Sequence, residues 1–337
     1  MIIITLFVLG FSQIMQREQR QSLDRQLSSQ ALYAAETAVN DVYAQLQAGN
    51  LTADEKNTCD VSVIDPVNNG VVEPSNSKNQ AAYTCVTYDK NPSYLEFTNG
   101  SINTQQSKIF PIQPVGNNPR IRSITFSWNG AGGEKTLSTQ LNCSNALPPR
   151  LTTLSVPILR IDLLRAPTGQ PINRDSLIDQ TVSDQTTTFF LYPTDNCAGA
   201  NNSRDYDTLF GLSRKGTIIP VDCDESQPYA CSYTLDQMQA GGINISSDRY
   251  FARVKSIYND ADLQVDGTAV GVGGRMQFVG AQISIDATGK SNDVIRRIKV
   301  QISNPEYPIP EFVTQGLDGV CKSITIIPPS TVTRGCP

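Results

Sequence analysis

Histidine is absent from all 337 residues, which excludes Ser-His-Asp and Cys-His catalytic sets and every zinc site that needs an imidazole. None of the eight cysteines stands in a C-x-x-C pair, so the dithiol redox motif is missing too. Basic residues are scarce: 27 Lys and Arg face 32 Asp and Glu, for a net charge of −5. No basic run exceeds two residues outside the N-terminal segment. Phosphate neutralisation needs clustered cations, so no nucleic-acid partner is expected. Proline is missing before Pro66 and charge is missing before Arg17. Those two gaps mark out a continuous helix over residues 1–48.

At about 1.5 Å per residue, Met1 to Gln47 would reach roughly 70 Å, too long for the core of an ordinary globular domain. The apolar opening covers about 22 Å against a bilayer core of about 30 Å, a marginal span. No basic leader precedes it, so a charged leader upstream of Met1 is the expectation, and a cleaved secretory signal fits worse because the helical pattern continues. Arg17, Arg20 and Arg25 argue for a cytoplasmic body by the positive-inside tendency. The cysteines argue for export and weigh more. An even number, well separated, reads as up to four disulfides formed in an oxidising compartment. Eight cysteines allow 105 connectivities. Shorter loops close more easily, so neighbours are expected to pair: Cys59–Cys85, Cys143–Cys197, Cys223–Cys231 and Cys321–Cys336.

Beyond Gly49 the period changes from 3.6 to 2. Ile124, Phe126 and Trp128 alternate with Ser123, Thr125 and Ser127, predicting a strand with one buried and one solvated face. Similar runs occur at 159–163, 188–192, 250–257 and 322–327. A hairpin is predicted where Ile283, Ile285 and Ala287 precede a turn through 288–293, followed by Ile298, Val300 and Ile302. The fold class expected is α+β: the long helix, then a large, mostly antiparallel, disulfide-stapled β body. Pro148-Pro149 suggests a boundary between a first β subdomain at 49–149 and a second at 150–337.

The helix carries the strongest pattern. Leu23, Leu27, Ala31, Ala34, Ala35, Ala38 and Val42 recur at helical spacing, with Val39 and Leu46 beside them, and the alanines admit close approach by another element. Two readings follow: an anchoring helix whose lower part packs on its own β body, or a packing element of a polymer whose apolar ends bury one another. Contacts that do not close generate open filaments.

The segment Arg17 to Asp41, with Ala31-x-x-Ala34-Ala35-Glu36 at its centre, resembles the mature N-terminal helix of type IV pilins. It is most similar to the PilX-like group and to pilins of Saccharibacteria-type candidate phyla. The resemblance covers about residues 1–48 and is weak over the β body. It implies a structural subunit and no enzyme, with Ile2, Ile3, Ile4, Leu6, Phe7, Val8, Leu9, Phe11 and Ile14 as filament core and membrane anchor. Implied partners are copies of the chain, other pilins, the prepilin peptidase, the inner-membrane assembly machinery and a host-cell surface; no cofactor is implied. Location on an extracellular pilus, with passage through the cytoplasmic membrane, and roles in adhesion and twitching motility follow the same resemblance. With Met1 as the mature start, Thr5 occupies the place where many type IV pilins carry glutamate, as in some minor pilins and pseudopilins, and the usual helix-breaking proline is absent. A secretion-system pseudopilin and a monomeric membrane-anchored adhesin stay open.

Other signals are weaker. Thr288-Gly289-Lys290-Ser291 ends like a phosphate-binding loop but lacks the preceding glycine, so a hairpin turn is expected. Gly267 to Gly274 reads as a flexible β connection. Asp260, Asp262 and Asp266 could gather calcium ligands, but the twelve-residue loop and terminal glutamate are missing, and a solvated turn is the plainer expectation. Asn50, Asn99, Asn142, Asn201 and Asn244 begin glycosylation-like triplets and read as turn asparagines.

Overall fold

The computed structural model describes residues 2–72, 81–105, 107–116, 121–137, 156–167, 186–194, 204–205, 216–235, 248–269 and 273–304; within it, the side chains of residues 2–9, 99, 165–167, 186–187, 204–205, 216–218 and 248–249 lie outside the description. The fold is α+β. A single helix α1 (Ile2–Gln47) is followed by strands β1 (Glu55–Lys56), β2 (Ala81–Asp89), β3 (Tyr94–Ile102), β4 (Lys108–Pro111), β5 (Ile121–Gly130), β6 (Ile158–Pro167), β7 (Thr186–Thr194), β8 (Arg204–Asp205), β9 (Gly216–Asp222), β10 (Cys231–Leu235), β11 (Asp248–Ile257), β12 (Ala261–Ala269), β13 (Gln282–Ser291) and β14 (Val294–Ser303).

With no proline to break it, α1 continues until Gly49, which takes φ 69°. The Asn50 amide donates to Gln45 O and the Gly49 amide to Leu46 O, each at 3.0 Å. This six-to-one and five-to-two pair is the Schellman termination that a left-handed glycine permits. Leu51 then folds under the helix and is buried.

Three sheets follow. A helix-bearing sheet runs β1-β2-β13-β14, a second runs β10-β5-β12-β3, and a third runs β4-β11-β6-β7-β9-β8. All described pairings are antiparallel except β7 with β9, which is parallel. The second and third sheets share one core. Phe97 packs on Phe110 with ring centroids 5.0 Å apart, and Phe126 meets Phe189 edge-on at 6.4 Å. Trp128 is buried there, with its indole N–H donated to Pro157 O at 2.9 Å. A separate, smaller core lies between α1 and the helix-bearing sheet.

Three sequence expectations need correction. Strand pairing crosses the expected boundary at 149/150: β2 pairs with β13, and β5 pairs with β10 and β12. Both segments therefore contribute to the same sheets. On β5, Ser123 and Ser127 are buried rather than solvated, because hydroxyls pair across the sheet: Ser123 with Thr268 at 2.6 Å and Ser127 with Ser232 at 3.0 Å. In the hairpin, Thr288 to Ser291 continue β13 and the turn shrinks to Asn292-Asp293, with Ser291 opposite Val294. Asn292 takes φ 54°, a left-handed conformation that asparagine tolerates better than most residues. The predicted run at 322–327 and the Pro148-Pro149 pair lie outside the described residues.

Candidate assembly interface

The lower part of α1 is fixed to the body by small and aliphatic side chains. Leu27, Ala31, Ala34, Ala35, Ala38, Val42 and Leu46 are buried, and the helix shares its core with Tyr83, Val86, Ile283, Ile285 and Ala287. Burial of Leu27, Val42 and Leu46 contributes roughly 1.5–3 kcal/mol each. The alanines contribute proximity. Gly289 lies directly under the helix: a Cβ there would stand 2.0 Å from Ala31 O and 2.6 Å from Ala35 N. The glycine expected in a turn is thus the point where helix and sheet backbones touch, and a side chain would wedge them apart.

Polar stitches hold the seam's length. Tyr83 donates its hydroxyl to Asp41 at 2.8 Å, Ser291 donates to Gln30 Oε1 at 2.9 Å, and Arg296 Nε donates to Ser28 Oγ at 2.8 Å. Burial, with the Asp41 hydrogen bond and charge behind it, pushes the Tyr83 phenol far above its ordinary range, so it remains a donor at any working pH. These partners are distant in sequence, and no local pattern marks them.

Among the described residues the upper part of α1 has no such partner. Every residue from Gly10 to Gln26 is exposed. Phe11, Ile14 and Met15, one turn apart, are 69%, 56% and 65% exposed. Leu23, expected in the packing stripe, is 46% exposed and stands above the seam, because the sheet ends below it. Ile2, Ile3, Ile4, Leu6, Phe7, Val8 and Leu9 belong to the helix, with their side chains outside the description. Among the described residues no helix is long and apolar enough to cross a membrane. From Ile2 to Gln26 the projecting helix is about 37 Å long.

Two disulfides are present among the described residues, Cys59–Cys85 and Cys223–Cys231. The first ties the segment after α1 to β2, next to the helical seam; the second closes the chain into β10. Cys143, Cys197, Cys321 and Cys336 lie outside the described residues. The calcium candidates are corrected. Asp262 is buried, and its two oxygens accept the amides of Gly100 at 2.7 Å and Gly133 at 2.9 Å, while Asp260 accepts that of Thr104 at 3.0 Å. Asp266 Oδ2 faces the Gln264 amide at 3.4 Å, and no group of three potential ligands forms among the described residues. These carboxylates fasten loops. Gly267, expected in a flexible connection, lies within β12, 2.8 Å of Cβ space from Ser123 O.

A groove of about 900 Å³ opens between α1 and the edges of the three sheets, lined by Tyr43, Glu96, Lys108, Lys299 and Gln301 among others. No sequence motif announced it. Only the alternation of β14, with Arg297, Lys299 and Gln301 opposite its aliphatic face, bears on it in the sequence.

No family model matches the chain, and no curated protein matches it either.

Proposed function

We propose that this chain is a structural subunit of an extracellular type IV pilus-like filament, polymerising through the upper part of α1. The observation that carries the reading is the division of one unbroken helix into a docked lower part and a bare upper part with Phe11, Ile14 and Met15 exposed. An isolated helical segment gains little stability alone, and helices in proteins draw most of theirs from packing. Neighbouring copies supply that packing in a filament, while the docked part transmits the body's position to the core. The resemblance of Arg17–Asp41 to pilin helices supports the same reading, as do the disulfides, which suit an oxidising exterior. The function is structural and not enzymatic. The subunit waits in the cytoplasmic membrane, works with prepilin peptidase, assembly machinery and other pilins, and serves adhesion to host cells and twitching motility.

A minor pilin or pseudopilin, which would share this two-part helix, is the second reading. Antibody against residues 50–337, applied to intact cells and viewed by electron microscopy, separates them. Label along whole filaments supports the major subunit; label confined to tips supports the minor one. Label on a bare envelope rejects the filament reading in favour of an anchored adhesin.

A further inference from the structure

The two disulfides among the described residues sit in opposite surroundings. Cys231 is fully buried and Cys223 is 7% exposed, both in the core shared by the second and third sheets, where Cys231 lies opposite Trp128 on β5. The turn between them is closed by the Asp224 amide on Ala230 O at 2.7 Å, and the Ala230 amide donates to Asn129 Oδ1 at 2.6 Å. Cys59, by contrast, is exposed, and Cys85 is half-buried. A thiolate must reach a sulfur to exchange with it. Cys59–Cys85 is therefore open to attack in the folded chain, whereas Cys223–Cys231 is reached only when its sheet comes apart.

The accessible bridge fastens the middle of a segment whose ends are held by other means. Residues 51–72 run beside β2. At one end β1 pairs with Tyr88 and Asp89, and the Lys90 amide donates to Asp54 O at 2.8 Å. At the other, the Tyr83 amide donates to Gly70 O at 2.9 Å and the Val72 amide to Ala81 O at 3.0 Å. Between them, Ile64 and Asp65 donate their amides to Val61 O, and the Asp65 carboxylate accepts those of Asn68 and Gly70. These bonds fold the stretch on itself without tying it to β2. Val61 and Ile64 enter the core that also holds Val42 and Leu46 of the helix.

Cys85 stands where the sheet is shaped to receive α1. The pairing of β2 with β13 skips Thr84: Cys85 lies opposite Thr288 and Tyr83 opposite Gly289. A bulge of this kind bends its strand and re-aims the side chains beside it. On one side of it Tyr83 reaches Asp41 of the helix, and its partner Gly289 lies against Ala31 and Ala35. On the other side is the bridge.

We propose that Cys59–Cys85 is a thiol-exchange site in the folded chain, opened by an external dithiol, and that opening it frees the middle of 51–72 and loosens the seat of α1 while Cys223–Cys231 stays closed. A thiolate of the dithiol attacks Cys59 Sγ, the sulfur–sulfur bond breaks, and its electron pair leaves on Cys85. The dithiol's second thiolate then attacks the mixed disulfide and releases Cys59. The bridge gains two electrons, the dithiol becomes a disulfide, and its two protons end on the cysteine thiols. None of these steps involves the upper part of α1.

The test treats the full chain, in mild detergent and native buffer, with graded dithiothreitol, traps free thiols with iodoacetamide, and reads each cysteine pair by peptide mass. Cys59 and Cys85 should be alkylated about tenfold or more faster than Cys223 and Cys231. In guanidinium chloride the ratio should fall toward one, because the difference belongs to the fold. With Cys59–Cys85 alone opened, hydrogen exchange should quicken at Val42, Ile64 and Tyr83 and stay unchanged at Asp224, a readout that needs no variant to fold. Equal opening of the two bridges in native buffer, a ratio undiminished in denaturant, or unchanged exchange at Val42 and Ile64 once the bridge is open overturns the proposal.

Discussion

The two parts of α1 share one unbroken backbone, yet the part below Gln26 is seated on a sheet while the part above is bare among the described residues. The difference is not helix propensity. It lies in what each face meets: below, Gly289 and four alanines bring two backbones into contact; above, Phe11, Ile14, Met15 and Leu23 stay exposed among the described residues. Small residues mark the joint that is complete within one subunit, and large exposed apolar residues mark the one that is not.

The comparison breaks most violently at the joint. Gly289→Val should cost about 3 kcal/mol or more, because the new side chain must displace helix backbone rather than a flexible group. A fall in Tm, with lost amide protection from Ala31 to Val42, checks it. Replacing Cys59 and Cys85 together by serine should cost about 2–3 kcal/mol, since the bridge closes a loop with a sequence separation of 26. Urea unfolding under non-reducing conditions reads that loss. Asp89, at the end of β2, offers a smaller effect. Its pKa is raised, chiefly by burial, with Glu55 and Asp54 adding repulsion. A carboxylate with a raised folded-state pKa favours the fold below its ordinary value and loses that contribution as pH rises through the folded-state value. Asp89→Asn, which keeps an oxygen for the Asn91 amide, should therefore raise Tm slightly at pH 7 and confer no gain at pH 3. The smallest change in stability is expected in the bare part. Replacing Phe11, Ile14 and Met15 by serine should leave the body's unfolding within about 0.5 kcal/mol. The same triple variant should abolish filaments in electron micrographs, and intact filaments would remove the distinction between the two parts.

Local pattern made the helix, its alanine stripe and the β13–β14 hairpin legible, because each declares itself within a few turns or one alternation. Gly289 was not legible as a helix contact: beside Lys290 and Ser291 it reads as a turn, and only pairing of β13 with β2 puts it under Ala31. Asp260 and Asp262 misled for the same reason, since acidic spacing along a strand says nothing of the Gly100, Gly133 and Thr104 amides that arrive from elsewhere. The subdomain boundary was placed by prolines, which mark the chain's local breaks, whereas the sheets are assembled from segments on both sides of it. The groove escaped notice because three edges meet there from three sheets, and edges are a property of topology.

The seam joins the first element of the described chain to the last two strands. A ribosome making this protein has finished α1 long before the hairpin exists that covers Ala31 and Ala35, and such late, distant pairings are slow to form. Until Ser303 is made, the alanine stripe has only β2 available to receive it. A chain stopped early therefore presents a helix whose lower face is as unclothed as its upper one. Docking of the lower face is therefore complete only once the hairpin has been made, and a copy truncated before it lacks the strands that bury Ala31 and Ala35.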